Sequence, residues 1–258
     1  MEDFWIFFAV GFLAQLIDGA MGMAYGVVSA SMLMTFGVPP ANVSASVHAA
    51  KIFTGAASAT SHTLARNVDF GLMVRLAIAG VIGGVIGAYV LTGLDASVMR
   101  PFMAGWLGLM GLFILYRAWR SAPPRTVPFK APLPLGLVGG LMDALGGGGW
   151  GPTVTSTLIG AGSAPRHAIG TANTAEFFVA VATSIAFLTA LLTGRWEQAD
   201  DLLTHAWAIG GLIAGGVLAA PFASLITRFL PVRGMMWAVG TLVVALCGYQ
   251  FWRVFTAG

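Results

Sequence analysis

Four ionisable side chains lie deep in apolar stretches of this 258-residue chain: Asp18, Lys51, Asp143 and Glu176, with His48 close by. Inside a bilayer such groups are expensive, so each is a functional candidate by default. Asp143 opens the run "DALGGGGWGP", in which Gly146, Gly147, Gly148 and Gly149 precede Trp150, Gly151 and Pro152. Broken backbone at membrane depth is tolerated only where protein buries it or it lines a polar cavity. The N-terminus of a half-helix there offers free N–H groups and a partial positive charge to an anion. Glycines let the chain turn and let a ligand approach the backbone, and Pro152 suits the first turn of a returning half-helix because it lacks an N–H. The same glycines also suit tight helix packing.

Helical spacing gathers the other candidates. Ser44, His48, Lys51, Gly55 and Ser58 recur at steps of four and three, which puts them on one face. A second stripe, Ile169, Asn173, Glu176, Ala180 and Thr183, has the same spacing. Two chemistries fit. Lys51 and Glu176 form a structural ion pair that fixes helix packing, or Lys51 and His48 attract an anion and Glu176 releases them on protonation. Asp18 and Asp143 are poor direct ligands for an anion; they hold the breaks by accepting backbone N–H bonds, or they carry a proton. Ser29, Ser31, Ser46, Thr153, Thr155, Ser156, Thr171, Asn173 and Thr174 offer donors to an anion's oxygens and serve equally in helix packing. If the two aspartates shared a proton, the chain would instead be an intramembrane aspartyl protease. A non-transporting scaffold is a further alternative, and it leaves the paired stripes unexplained. His62, His167 and His205 have no metal-ligand spacing, and the single Cys247 allows neither an intrachain disulfide nor a cysteine metal site, so neither metal nor cofactor is expected.

The elements that position these groups are membrane segments. Hydrophobic residues make up 57% of the chain and charged ones 9%, against roughly 25% charged in soluble domains. The basic excess, net charge +3, lies mostly in loops, as topology signals do, so nucleic acid is not an expected partner. Apolar stretches at 4–36, 41–62, 71–92, 98–117, 133–161, 166–192, 203–227 and 234–255 predict an all-α polytopic protein of eight segments. The chain repeats itself: a shift of 125 residues lays Asp18 on Asp143, Gly22 on Gly147, Tyr25 on Trp150, Gly26 on Gly151, His48 on Asn173 and Lys51 on Glu176. The first repeat is 1–120, a basic proline-rich linker covers 121–132, and the second repeat is 133–258. Such duplication marks transporter folds with a substrate site near the midplane.

As one straight helix, residues 4–36 would span about 50 Å, too long for a hydrocarbon core of about 30 Å. Segments 1 and 5 are therefore expected to be half-helices bent into a V, which inverts the second half relative to the first. Under that topology nine basic residues, Arg66, Arg75, Arg117, Arg120, Arg125, Lys130, Arg166, Arg228 and Arg233, fall on one side, and three, Arg100, Arg195 and Arg253, on the other. Straight threading gives eight to four and moves "EQADD" (197–201) to the positive side, so both termini are expected outside. Gly80/Gly84, Gly83/Gly87 and Gly211/Gly215 predict close helix packing, within the chain or in a homodimer. Arg117, Trp119, Arg120, Trp252 and Arg253 are expected as interfacial anchors.

The glycine-rich break with Pro152, its weaker copy "DGAMGMAYG", and the "SASVHAAKIF" and "GTANTAEFF" stretches resemble the TauE/SafE family of membrane permeases, the sulfite exporters. The resemblance covers nearly the whole chain. It implies a non-enzymatic permease of a bacterial cytoplasmic membrane that carries small sulfur-containing anions such as sulfite, sulfoacetate or related organosulfonates; the repeat suggests alternating access, and the buried carboxylates with His48 make protons a candidate coupling ion. In this reading Tyr25, Ser29, His48, Lys51, Gly146, Gly147, Gly148, Gly149, Trp150, Asn173 and Thr174 bind the substrate, and Asp18, Asp143 and Glu176 are coupling or structural carboxylates. Met21, Met23 and Ala24 stand where the second half has Gly146, Gly148 and Gly149, a departure that weakens backbone contacts in the first half.

Overall fold

The computed structural model describes residues 2–120, 131–196, 206–226 and 232–256. Most of the linker, the acidic 197–201 run, and Arg125, Lys130, His205 and Arg228 lie outside the described residues. Where the chain is described it is helical: α1 (Glu2–Met21), α2 (Tyr25–Thr35), α3 (Pro40–Leu64), α4 (Phe70–Leu91), α5 (Ala96–Trp119), α6 (Pro132–Gly146), a π-helical turn (Gly151–Thr155), α7 (Ser156–Gly160), α8 (Pro165–Leu192), α9 (Ala206–Ile226) and α10 (Val232–Thr256). Local signals set the starts. Proline occupies the first turn of α3, α6 and α8, where its missing N–H costs nothing. The Asp69 side chain caps α4 by accepting from Leu72 N at 3.0 Å.

Among the described residues, five helices are long and apolar enough to cross a membrane: those at Phe4–Met21, Phe70–Leu91, Ala96–Trp119, Pro165–Leu192 and Arg233–Arg253. Shorter apolar helices lie at Tyr25–Thr35, Pro132–Gly146 and Ala206–Phe222. Helix α3, expected as a segment at 41–62, is not among the five; its stripe of serines, His48 and Lys51 makes it the polar helix of the set. Side chains on that stripe are buried by other helices, so polarity here reflects a protein interior.

Both expected breaks are present. After α1 the chain turns at Gly22 (φ 67°), and after α6 at Gly147 (φ 69°), the position 125 residues on. A left-handed φ at both points is why glycine stands there. Each chain then doubles back. The Phe7 and Phe36 rings lie 5.1 Å apart, so α2 returns along α1, and Gly139 packs on Val154, so the π turn returns along α6.

Helix directions follow from named contacts. Lys51 meets Glu176, Ser58 meets Asn173 and His48 meets Phe187, so α3 and α8 are antiparallel. Gly108 on Cys247 and Arg233 on Ala118 make α5 and α10 antiparallel as well. Gly136 lies on Leu76, Gly140 on Gly80 and Gly87 on Ala144, which sets α4 parallel to α6; Phe4 on Gly211 and Phe8 on Gly215 do the same for α1 and α9. All the glycines of the Gly-x-x-x-Gly pairs are thus consumed within the chain, where a methyl group would meet a neighbouring helix. Arg117, expected as an interfacial anchor, donates to the Ser156 carbonyl at 2.9 Å and ties the returning chain to the end of α5. Trp119 and Trp252 are exposed, as anchors are.

Candidate functional site

The site begins with the two aspartates in the last turns of α1 and α6. Asp18 Oδ1 accepts from the backbone N–H of Ala24 at 2.7 Å and of Tyr25 at 3.0 Å, and Asp143 Oδ1 accepts from Trp150 N at 3.0 Å. Each carboxylate therefore bridges its break and satisfies the first donors of the returning element, a cap supplied from six or seven residues upstream. Tyr25 and Trp150, equivalent under the 125-residue shift, then anchor those elements outward: Tyr25 OH donates to Leu212 O at 3.0 Å and Trp150 Nε1 to Ala172 O at 3.0 Å.

The two breaks touch. Gly148 lies on the Gly26 backbone and Gly151 on that of Gly22 and Met23; a methyl on Gly148 would come within 2.5 Å of the Gly26 carbonyl carbon. The 125-residue shift exchanges these two contacts with each other. Trp106 of α5 covers the other side, its Nε1 donating to Gly148 O at 2.8 Å while its ring fills the space a side chain on Gly146 or Gly149 would need. The glycine run is thus used for close approach of backbone to backbone and backbone to indole. Trp106 carried no signal in the sequence, since a tryptophan in an apolar helix also serves as packing or as an anchor.

Lys51 sits beside this junction. Its Nζ lies 3.0 Å from both oxygens of Asp143 and 2.8 Å from Glu176 Oε1. Asp143 is fully buried, and its Oδ2 also meets His48 Nε2 at 3.1 Å. The other ring nitrogen, Nδ1, lies 2.8 Å from the Ser44 carbonyl, while Ser44 Oγ donates to Ala144 O at 2.6 Å. Nδ1 also lies 3.3 Å from Ser44 Oγ, so the ring is held on both nitrogens, by Asp143 on one side and Ser44 on the other. The pairing of Lys51 with Asp143 was not readable from the stripes, because it joins α3 to α6 rather than to its sequence-equivalent helix.

The remaining candidates spread around this core. Asn173 Nδ2 donates to Ser58 Oγ at 3.3 Å, but its Oδ1 has no hydrogen-bond partner among the described residues although the residue is 3% exposed. Thr174 donates to Gly170 O within α8, Ser46 to Asn42 O within α3, and Thr171 Oγ1 accepts from Asp69 N. Ser29, Thr153 and Thr155 hold buried hydroxyls without a partner among the described residues. A cleft lined by Gln15, Asp18, Tyr25, Lys51, Thr54, Gly55, Ser58, Asn173, Glu176 and Phe177 opens between α1, α2, α3 and α8, with about 20 Å³ open to the centre of a water molecule, room for one water. No group of three or more metal-ligating side chains occurs among the described residues.

Comparison with known proteins gives this arrangement its context. The model of the family "Sulfite exporter TauE/SafE" matches residues 7–250. The chain is similar to "Probable membrane transporter protein YtnM" of Bacillus subtilis (strain 168), 42% identical over 239 residues that cover 90% of this chain and 77% of that protein. No solved structure matches it. With two hairpin breaks meeting beside a buried lysine, and a family match over nearly its whole length, the chain belongs to the TauE/SafE family and is a multi-pass membrane transporter.

Proposed function

We propose that this protein is a permease of small sulfur-containing anions, sulfite, sulfoacetate or related organosulfonates, working by alternating access in a bacterial cytoplasmic membrane. In this reading the eight segments form two inverted four-segment repeats with both termini outside. The antiparallel α3/α8 and α5/α10 pairs and the returning half-helices support the inversion, since straight threading would make those pairs parallel. The nine-to-three split of basic residues supports the orientation.

The observation that carries the proposal is Lys51, placed where the two hairpin tips meet and shared between Asp143 and Glu176. Glu176 acts as an internal anion on this cation. A substrate oxyanion takes its place on Lys51, with His48 beside it. A cleft with room for one water does not admit sulfite, so the present state is closed and transport requires opening on one side at a time. The protease alternative fits less well, because both Asp143 oxygens are taken by Lys51 and His48, leaving no shared proton with Asp18.

The test is flux into proteoliposomes of sulfite, sulfoacetate, thiosulfate and sulfate, with Lys51→Ala and Lys51→Arg beside the wild type. One sulfur anion should be carried, with flux abolished in Lys51→Ala and reduced in Lys51→Arg. Absence of flux for every anion under imposed gradients of either sign would overturn the permease reading.

A further inference from the structure

Charge accounting around Lys51 leaves a residue. One ammonium, Lys51, serves two carboxylates, Asp143 and Glu176, and lines one cleft with a third, Asp18. Asp143 also meets His48, whereas among the described residues Asp18 accepts from two backbone N–H groups, both on Oδ1, and pairs with no side chain. Under the 125-residue shift the contact between Lys51 and Asp143 corresponds to a meeting of Glu176 with Asp18. On one side of the junction the pair is salt-bridged; on the other, two carboxylates line one cleft, with the Lys51 ammonium on its wall against Glu176. That ammonium is already shared with Asp143, and carboxylates short of positive charge are costly inside a membrane, so this side favours a bound cation.

The cleft's chemistry says which one. Its lining presents hard oxygens: the Asp18 and Glu176 carboxylates, the Thr54 and Ser58 hydroxyls, the Gln15 amide and the Asn173 amide. Asn173 is the independent sign of a ligand, because its amide nitrogen is fixed on Ser58 while its buried carbonyl oxygen has no donor among the described residues. No thiol or imidazole lines the cleft, which disfavours transition metals. The space fits one water-sized occupant, which suits a monovalent ion rather than Mg²⁺, since Mg²⁺ keeps several waters in a rigid octahedral shell. Asp18 also lies in the last turn of α1, the end of a half-helix whose carbonyls favour a cation.

We propose that Asp18, Glu176 and Asn173, with the Thr54 and Ser58 hydroxyls, form a sodium site in the cleft between α1, α3 and α8. Its coupling role rests on the permease reading above: a sodium ion that engages Glu176 draws that carboxylate from Lys51 and frees the ammonium for the anion, so the two ions load together. The site itself is independent of that reading.

Two measurements separate these claims. In detergent without any anion substrate, thermal melting is compared in sodium, potassium and choline chloride for the wild type, Asp18→Asn and Asn173→Ala. Asp18→Asn keeps a side-chain oxygen to accept the Ala24 and Tyr25 N–H bonds, so it tests charge with the cap retained. Sodium should raise the wild-type melting temperature by several degrees over choline, and both variants should lose the rise. Equal melting in sodium and choline, or a sodium effect that survives Asp18→Asn, would overturn the site. In proteoliposomes at symmetric pH, an inward sodium gradient should drive anion uptake several-fold over choline. Uptake that follows a pH gradient and ignores sodium would overturn the coupling and leave the permease standing. Sodium-dependent melting without flux of any anion would instead overturn the permease and leave the site.

Discussion

At the scale of the residue, Lys51 is the hinge of the argument. An ammonium held by two carboxylates in a buried setting is weak as a source of stability but costly to remove, since each abandoned carboxylate is left without compensation. Lys51→Met should therefore destabilise the folded protein by about 3–5 kcal/mol, and Asp143→Asn added to it should recover part of that loss, because the burial of a bare charge is relieved. Flux should stay absent in both. Melting curves in detergent with parallel flux assays check this, and a double variant no more stable than Lys51→Met would mean that Asp143 is held by its Trp150 and His48 contacts alone. The sequence made Lys51 and Glu176 plausible partners through their shared position in the repeat; it could not show that Asp143 would take the same ammonium from a third helix.

At the scale of the element, the glycine run explains itself by what lies opposite each position. Gly148 meets the backbone of Gly26, so Gly148→Ala forces the hairpin tips apart and should cost about 1–3 kcal/mol, with impaired flux. Gly160, in the short helix that follows, has nothing within 4 Å of an added methyl and no left-handed φ, so Gly160→Ala should be neutral or stabilising by up to about 1 kcal/mol. The pair, compared by melting temperature, separates glycine needed for close approach from glycine in open space. The π turn at Gly151–Thr155 was not expected: sequence spacing distinguishes a helix from a strand, but the difference between a π turn and an α turn is set by how the returning chain seats against α6 and α8.

At the scale of the whole molecule, the hairpins decide which loops share a side. On a Cys247→Ser background, Arg66→Cys and Arg166→Cys should react with a membrane-impermeant thiol reagent from one side, and Arg100→Cys and Arg195→Cys from the other. Straight threading predicts the opposite grouping for Arg166 and Arg195, so labelling of Arg166→Cys together with Arg100→Cys would refute the inverted arrangement. Much of this architecture was legible beforehand. Apolar length fixed where the segments run, proline and glycine fixed where they start and break, and the duplicated Asp-Gly patterns of Asp18/Gly22 and Asp143/Gly147 located both turns, because hydropathy, ring constraint and backbone freedom are properties of local sequence. Tertiary structure alone decided the rest. Whether Asp143 would bind Lys51, whether Trp106 would cover the glycines, whether Arg117 would reach Ser156, and whether Asp18 and Glu176 would share a cleft all depend on how distant helices approach one another, a property that no single helix's periodicity contains.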